Sequence, residues 1–130
     1  MKPEWLNKWL LLAIIWFLAS IYFLFLASGN NPLPIPHFDK ICHFGLFFGQ
    51  FWLLAKICLQ SNITIPLRSY LTSALLWACI SELIQTQLPR RNGDILDAIA
   101  DLLGALCALW LARKIQLVRR NLLGEFHHGK

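Results

Sequence analysis

Residues 81–104 read SELIQTQLPRRNGDILDAIADLLG and lie between two strongly apolar stretches of the chain. This segment contains four of the chain's seven acidic residues, namely Glu82, Asp94, Asp97 and Asp101. Pro89 and the pair Asn92–Gly93 predict a turn, and Asp94 stands where a helix N-cap belongs. The segment is therefore predicted to contain the end of one helix, a short turn and the start of the next helix.

The composition around this segment predicts an integral membrane protein. The 130 residues are 57% hydrophobic and only 15% charged, whereas a soluble domain is about 45–50% apolar and about 25% charged. The mean hydropathy is +0.53, and the apolar residues form long blocks. Four segments approach the roughly 20 residues that cross a bilayer. They cover residues 5–27, 39–59, 69–88 and 94–112.

We therefore expect an all-α fold, a polytopic membrane protein built as a single bundle of four transmembrane helices. The apolar core of the first segment is longer than that of a signal peptide, so we interpret it as a retained helix. Residues 113–130 are expected to form a short basic tail. The cysteines are Cys42, Cys58, Cys79 and Cys107, and their spacing indicates neither disulfides nor a zinc site. We expect no metal and no cofactor.

The distribution of basic residues predicts the orientation of the bundle. An inside N-terminus places nine of the twelve Lys and Arg residues on the cytoplasmic side. These are Lys2, Lys8, Lys56, Arg68, Arg113, Lys114, Arg119, Arg120 and Lys130. Only Lys40, Arg90 and Arg91 fall outside, which is a positive-inside bias with both termini cytoplasmic. Because these cations sit at span ends, the net charge of +5 indicates membrane headgroups rather than nucleic acid as partners.

The same topology gathers ionisable residues near the outer ends of three spans. At a rise of about 1.5 Å per residue, His43, Glu82 and Asp101 lie roughly 6–10 Å below those ends. A charge facing lipid at that depth costs several kcal/mol, so we expect these faces to turn inward around a polar pocket. Lys40, Arg90 and Arg91 are the expected counter-ions. The predicted pocket consists of Asp39, Lys40, His43, Glu82, Gln85, Arg91, Asp97 and Asp101. Interhelical ion pairs that only fix the bundle are the alternative interpretation.

Three motifs carry a resemblance to a known family. They are DKICHFGLFF at 39–48, SELIQ at 81–85 and RNGDILDAIADLLG at 91–104. In this order they resemble the VanZ-like family of small bacterial polytopic membrane proteins, named for a component associated with teicoplanin resistance. The family pattern after an Arg is D-x-x-x-N-x-x-G; Arg91, Asp97 and Gly104 match it, while Asp101 replaces the usual Asn. The resemblance implies residence in the bacterial cytoplasmic membrane and an influence on glycopeptide susceptibility.

These observations lead to several functional hypotheses. We expect a non-enzymatic membrane protein whose outward-facing pocket binds a lipid headgroup, a peptidoglycan precursor or a partner, with Arg and Lys contacting phosphate or carboxylate. The expected partners are the bilayer, a lipid-linked cell-wall precursor or an anionic lipid, and a second copy of the chain. One alternative is a hydrolase of a lipid-linked substrate, with His43 or Glu82 as general base and paired acids holding a metal. Others are a subunit of an ion-coupled transporter and a purely structural subunit.

Overall fold

The computed structural model describes residues 4–27, 37–89 and 92–129, and within these ranges it contains α-helices and no β-strand. Helix α1 spans Glu4–Ile21 and continues into a π-helical segment at Tyr22–Leu26. The other three helices are α2 (Phe38–Ser61), α3 (Leu67–Gln87) and α4 (Ile95–His128). The expectation of an all-α chain is confirmed.

The surface of these helices identifies a membrane protein. Three stretches are long and apolar enough to cross a bilayer: Lys8–Leu26, Phe38–Ser61 and Ile95–Phe126. Large hydrophobic side chains on all four helices are exposed, among them Leu11, Leu18, Ile41, Leu83, Leu103 and Trp110. Such a surface is unfavourable in water and suits the hydrocarbon core of a bilayer, where apolar side chains face lipid.

Helices α2 and α4 form the central pair, with α1 packed against α2 and α3 against α4. Small residues allow the close approach of α4, since Ala105, Ala108 and Ala112 are fully buried. They belong to the same hydrophobic core cluster as the aromatic side chains of Phe47 and Phe51 on α2. This combination of small and large residues is typical of helix contacts inside membranes, which depend on close van der Waals packing.

Two glycines mark the tightest helix contacts. A Cβ on Gly104 of α4 would collide with the backbone carbonyl of Phe44 on α2. A Cβ on Gly49 would collide with the indole of Trp16, whose Nε1–H donates to the Leu46 carbonyl oxygen at 2.9 Å. By contrast, a Cβ on Gly45 would meet nothing within 4 Å. Close packing at Gly104 and Gly49 therefore determines how α4 and α1 sit on α2.

Helix α4 is longer than the sequence predicted, because it continues from residue 112 to His128. Residues 113–128 of the expected tail are therefore helical. No proline follows Pro89 in the sequence, so no proline interrupts this helix. The buried Gln116 also anchors this extension, since its amide nitrogen donates to the Ile63 carbonyl at 2.7 Å and its oxygen accepts from Arg113 at 2.9 Å.

Candidate functional site

The start of α2, the end of α3 and the start of α4 meet at one end of the bundle. We call this the acidic end, because it brings together five carboxylates: Asp39, Glu82, Asp94, Asp97 and Asp101. The N-cap of α4 is Asp94, as the sequence predicted; its carboxylate accepts the Leu96 backbone N–H at 2.9 Å. Such a cap satisfies one of the free N–H groups at a helix start.

His43 lies at the centre of the acidic end. The residue is only 1% exposed, and its Nδ1 lies 2.9 Å from Oδ1 of Asp101, which is fully buried. Glu82 Oε1 lies 4.0 Å from the same nitrogen, while Asp97 Oδ2 lies 3.8 Å from Nε2 on the other side of the ring. One histidine from α2 thus contacts or approaches carboxylates from both α3 and α4.

Lys40 neutralises part of this negative charge. Its Nζ lies 3.0 Å from Asp94 Oδ2 and 3.0 Å from Asp97 Oδ1. The expected role of Lys40 as a counter-ion is therefore confirmed. An ammonium group has three N–H donors, and the protein's own carboxylates use two of those of Lys40.

Asp94 also joins α3 to α4. Its backbone N–H donates to Glu82 Oε2 at 2.8 Å, which holds that carboxylate against the start of α4. The Leu96 N–H and then the Lys40 ammonium lower the pKa of the Asp94 carboxyl below its usual range. Gly93 leaves little room beside this contact, because a Cβ there would collide with the Thr86 side chain and lie 3.0 Å from the Glu82 carbonyl oxygen.

The structure brings together most of the predicted pocket residues. Asp39 lies in the first turn of α2. One potential ligand atom of this residue lies within 4.8 Å of one on His43 and one on Asp97, and the latter two are equally close to each other. Gln85 is buried, but its amide donates to the Leu24 carbonyl at 2.9 Å and so ties α3 to the segment after α1. Arg91, like Arg90, lies outside the described residues.

The sequence analysis interpreted Asp94 as a helix cap and did not include it in the predicted pocket. Its position three residues before Asp97, one turn apart at the start of α4, is the signal that identifies it as a second partner of Lys40. The contact between its backbone N–H and Glu82 depends on the path of the turn, which no sequence spacing specifies.

Several buried polar atoms of the acidic end have no hydrogen-bond partner in the part of the chain that the structure describes. They are His43 Nε2, Glu82 Oε1 and Asp101 Oδ2. Buried polar atoms are nearly always paired, because leaving one without a partner costs about 1–3 kcal/mol. Atoms of this kind converging from three helices indicate a site for a polar or charged ligand.

These features define a small helical membrane protein with a histidine–carboxylate cluster buried at one end of its bundle. The chain is similar to the uncharacterized protein C11E3.10 of Schizosaccharomyces pombe (strain 972 / ATCC 24843), with 30% identity over 127 residues. The alignment covers 94% of this chain and 75% of that relative, and the chain belongs to the family of that protein. No family model matches the chain, and no solved structure matches it.

Proposed function

We propose that this protein is a four-span membrane protein that binds the headgroup of a membrane lipid or lipid-linked precursor at its acidic end. The observation that carries the proposal is the convergence, from α2, α3 and α4, of buried polar atoms that have no hydrogen-bond partner among the described residues. In this proposal all four helices cross the bilayer, both termini are cytoplasmic and the acidic end faces outward.

The shape of α3 supports its role as the fourth span. Its 21 residues correspond to about 31 Å, which matches a hydrocarbon core of about 30 Å. Its polar residues Ser81 and Gln85 are buried, whereas its exposed side chains include the large apolar group Leu75, Leu76, Ile80, Leu83 and Ile84. Thr72 and Ser73 are exposed on this helix, and the hydroxyl group of each donates to the backbone carbonyl oxygen four residues earlier.

The charge balance favours a headgroup that carries an ammonium group. Among the described residues of the acidic end, five carboxylates face one lysine and one histidine, and Lys40 is already paired. A primary ammonium offers three donors to such carboxylates, as in a phosphoethanolamine headgroup. Glu82 Oε1 is the favoured acceptor, because no described residue bonds to it and the Glu82 side chain, at 13%, is more exposed than that of Asp101. Arg91 would contact the phosphate.

The resemblance to VanZ-like proteins supports a narrower ligand class, the lipid-linked precursors of the cell wall. Glycopeptide susceptibility would then be the phenotype, and the bacterial cytoplasmic membrane the location. The relative in a fission yeast supports the broader class, because phospholipid headgroups with a primary amine are common to bacterial and fungal membranes. We therefore favour the phosphoethanolamine headgroup within this proposal.

Binding of lipids to the purified protein tests the proposal. In detergent containing EDTA, we expect phosphatidylethanolamine to bind at least tenfold more tightly than phosphatidylglycerol or phosphatidylcholine, as measured by native mass spectrometry. Glu82→Gln should remove this preference, and Glu125→Gln, which changes an exposed acid on the C-terminal part of α4, should retain it. Lipid II in a parallel titration tests the narrower class. Equal binding of all lipids by wild type and Glu82→Gln would refute the proposal.

A second function is favoured by the geometry around His43. One ring nitrogen is held by the Asp101 carboxylate while the other, Nε2, has no partner among the described residues. This is the arrangement of a general base oriented by a carboxylate, as in hydrolases. Release of a soluble headgroup from phosphatidylethanolamine or lipid II vesicles, abolished by His43→Gln, would support a membrane hydrolase; intact lipid after long incubation would exclude it for those substrates.

A further inference from the structure

We propose that Asp39, His43 and Asp97 form a binding site for one divalent transition-metal ion, with Zn²⁺ and Mn²⁺ as the best-matched ions. The site occupies the acidic end but does not depend on headgroup binding. It departs from the sequence-based expectation that the protein contains no metal. The proposal rests on the orientation of His43, the placement of two carboxylates and the charges around them.

The imidazole of His43 is oriented as a metal ligand. Asp101 Oδ1 lies 2.9 Å from Nδ1. With Asp101 ionised, its carboxylate only accepts hydrogen bonds, which places the proton on Nδ1. In the neutral ring, Nε2 then presents a lone pair. Metal-binding histidines typically donate their other N–H to a carboxylate in this way, which fixes both the tautomer and the ring orientation.

The Nε2 atom itself is the observation that indicates a ligand. It is buried, it has no hydrogen-bond partner within the described ranges, and the His43 residue is 1% exposed. The nearest carboxylate oxygen on that side, Asp97 Oδ2, lies at 3.8 Å, which is too far for a hydrogen bond. An ion between these two atoms would satisfy both.

Two carboxylates complete the set of protein ligands. Asp39 is one helical turn before His43 on α2, and Asp97 lies in the first turn of α4. Their ligand atoms and that of His43 are all within 4.8 Å of one another. In a tetrahedral Zn²⁺ site with bonds of about 2.1 Å, neighbouring ligand atoms are about 3.4 Å apart. Rotation of the two carboxylates that brings the ligand atoms closer by up to about 1.4 Å would therefore complete the site.

The surrounding charges determine which ions fit. Lys40 occupies Asp97 Oδ1 at 3.0 Å, which directs Oδ2 towards His43 and favours binding through a single oxygen. One imidazole and two carboxylates suit Zn²⁺, Mn²⁺ or Fe²⁺ better than soft ions, which prefer thiolates. Three protein ligands also leave a position for water or for an oxygen of a bound phosphate.

A competing arrangement uses the other ring nitrogen. One ligand atom each from His43, Glu82 and Asp101 are likewise within 4.8 Å of one another, and Glu82 Oε1 and Asp101 Oδ2 are unpartnered among the described residues. We favour the set with Asp39 and Asp97 because Nδ1 already has Asp101 as its hydrogen-bond partner. The two arrangements predict different effects of Asp39→Asn and Glu82→Gln.

Metal titration of the full-length protein tests the proposal. The protein is purified without an affinity tag in detergent, with His127 and His128 replaced by Ala in every sample, and is stripped of metal with EDTA, which is then removed. We expect calorimetry to show one equivalent of Zn²⁺ or Mn²⁺ bound. Asp39→Asn and His43→Gln should each weaken binding at least tenfold. Glu125→Gln is the matched control and should bind as wild type does.

Spectroscopy then identifies the ligands. Co²⁺ bound in place of Zn²⁺ should give visible absorption bands that Asp39→Asn shifts or removes, with unchanged far-UV circular dichroism showing that the variant is folded. Folded wild type that binds no ion, or that binds as tightly as Asp39→Asn, would overturn the proposal. Loss of binding in Glu82→Gln with retention in Asp39→Asn would also overturn it. Because lipid binding is measured in EDTA, failure of the metal site leaves the headgroup proposal standing.

Discussion

Within the described part of the chain, His43 lies at the centre of the buried polar cluster at the acidic end. His43 comes from α2, but its contacts are with carboxylates of α3 and α4. The sequence predicted that His43, Glu82, Asp97 and Asp101 would share one region, because lipid penalises each of them elsewhere. It could not predict which carboxylate lies beside which ring nitrogen. That pairing depends on the rotation of the His43 ring and on the turn before α4, where the Asp94 N–H holds the Glu82 carboxylate.

The pairing of His43 with Asp101 should be measurable as stability. Asp101→Leu removes the acceptor of the Nδ1 hydrogen bond and leaves a buried donor unpaired, so we expect a loss of about 2–3 kcal/mol in the free energy of unfolding. Asp101→Asn retains an acceptor oxygen and should lose less, about 1 kcal/mol. Denaturant titration in detergent with EDTA measures both. A Leu variant as stable as wild type would contradict the observed pairing.

The Asp94 carboxyl should give a pH dependence of known sign. Its pKa in the folded state is lowered by the Leu96 N–H and by Lys40. A lowered pKa in the folded state stabilises the protein above the unfolded pKa, which is about 3.9 for Asp. That stability is lost as the pH falls through the folded value. The stability difference between wild type and Asp94→Asn should therefore shrink from pH 6 to pH 3.

Asp94→Asn is the informative variant because Asn is also a good N-cap. It retains a side-chain acceptor for the Leu96 N–H and removes the charge that faces Lys40. A difference between the two proteins that stays constant across the pH range would show that the Asp94 charge does not contribute. Thermal unfolding monitored by circular dichroism at each pH supplies the measurement.

At the scale of elements, the positions of the helices were largely predictable and their contacts were not. Apolar blocks located α1 to α4, because each block has the length of a span. The extension of α4 to His128 was not predicted, since charged residues after 112 resemble a tail and the anchor at Gln116 is a tertiary contact. Likewise, Gly45 and Gly49 look equivalent in sequence, yet only Gly49 lies under another helix.

Gly104 should be the least replaceable glycine among these contacts. In Gly104→Ala the new methyl group would meet the backbone of Phe44, which cannot rotate away. We expect a loss of about 1–3 kcal/mol in unfolding free energy from this overpacking. The matched control is Gly45→Ala, whose methyl group meets nothing within 4 Å and which should be neutral or slightly stabilising, since Ala favours helix. Equal effects of the two substitutions would contradict the close contact.

At the scale of the whole molecule, charge separates the two ends of the bundle. The acidic end contrasts with the opposite end, where Arg113, Lys114, Arg119 and Arg120 follow one another along α4. There Lys56 also lies over the rings of Trp9 and Trp52, at 5.4 and 5.8 Å from their centroids. Basic and aromatic residues together are typical of a membrane interface, and the basic excess favours the cytoplasmic side.

This polarity predicts a labelling pattern in intact cells. We expect a membrane-impermeant maleimide to label Asn92→Cys, at the acidic end, without permeabilisation. Asn121→Cys, on the extension of α4, should be labelled only after the membrane is opened. Both variants are made in a chain whose four natural cysteines are replaced by Ala. The reverse pattern, or labelling of both residues in intact cells, would contradict the proposed orientation.

The central pairing of α2 with α4 also has a consequence for synthesis in the cell. His43 and Asp101 are 58 positions apart, and ribosomes add about 5–20 residues per second, so Asp101 is made roughly 3–12 s after His43. Lys40 is likewise synthesised before its partners Asp94 and Asp97. During that interval, Lys40 and His43 lack these carboxylate partners, because α4 has not yet been synthesised. In the proposed four-span arrangement, the paired state of α2 therefore depends on the later arrival of α4 in the membrane.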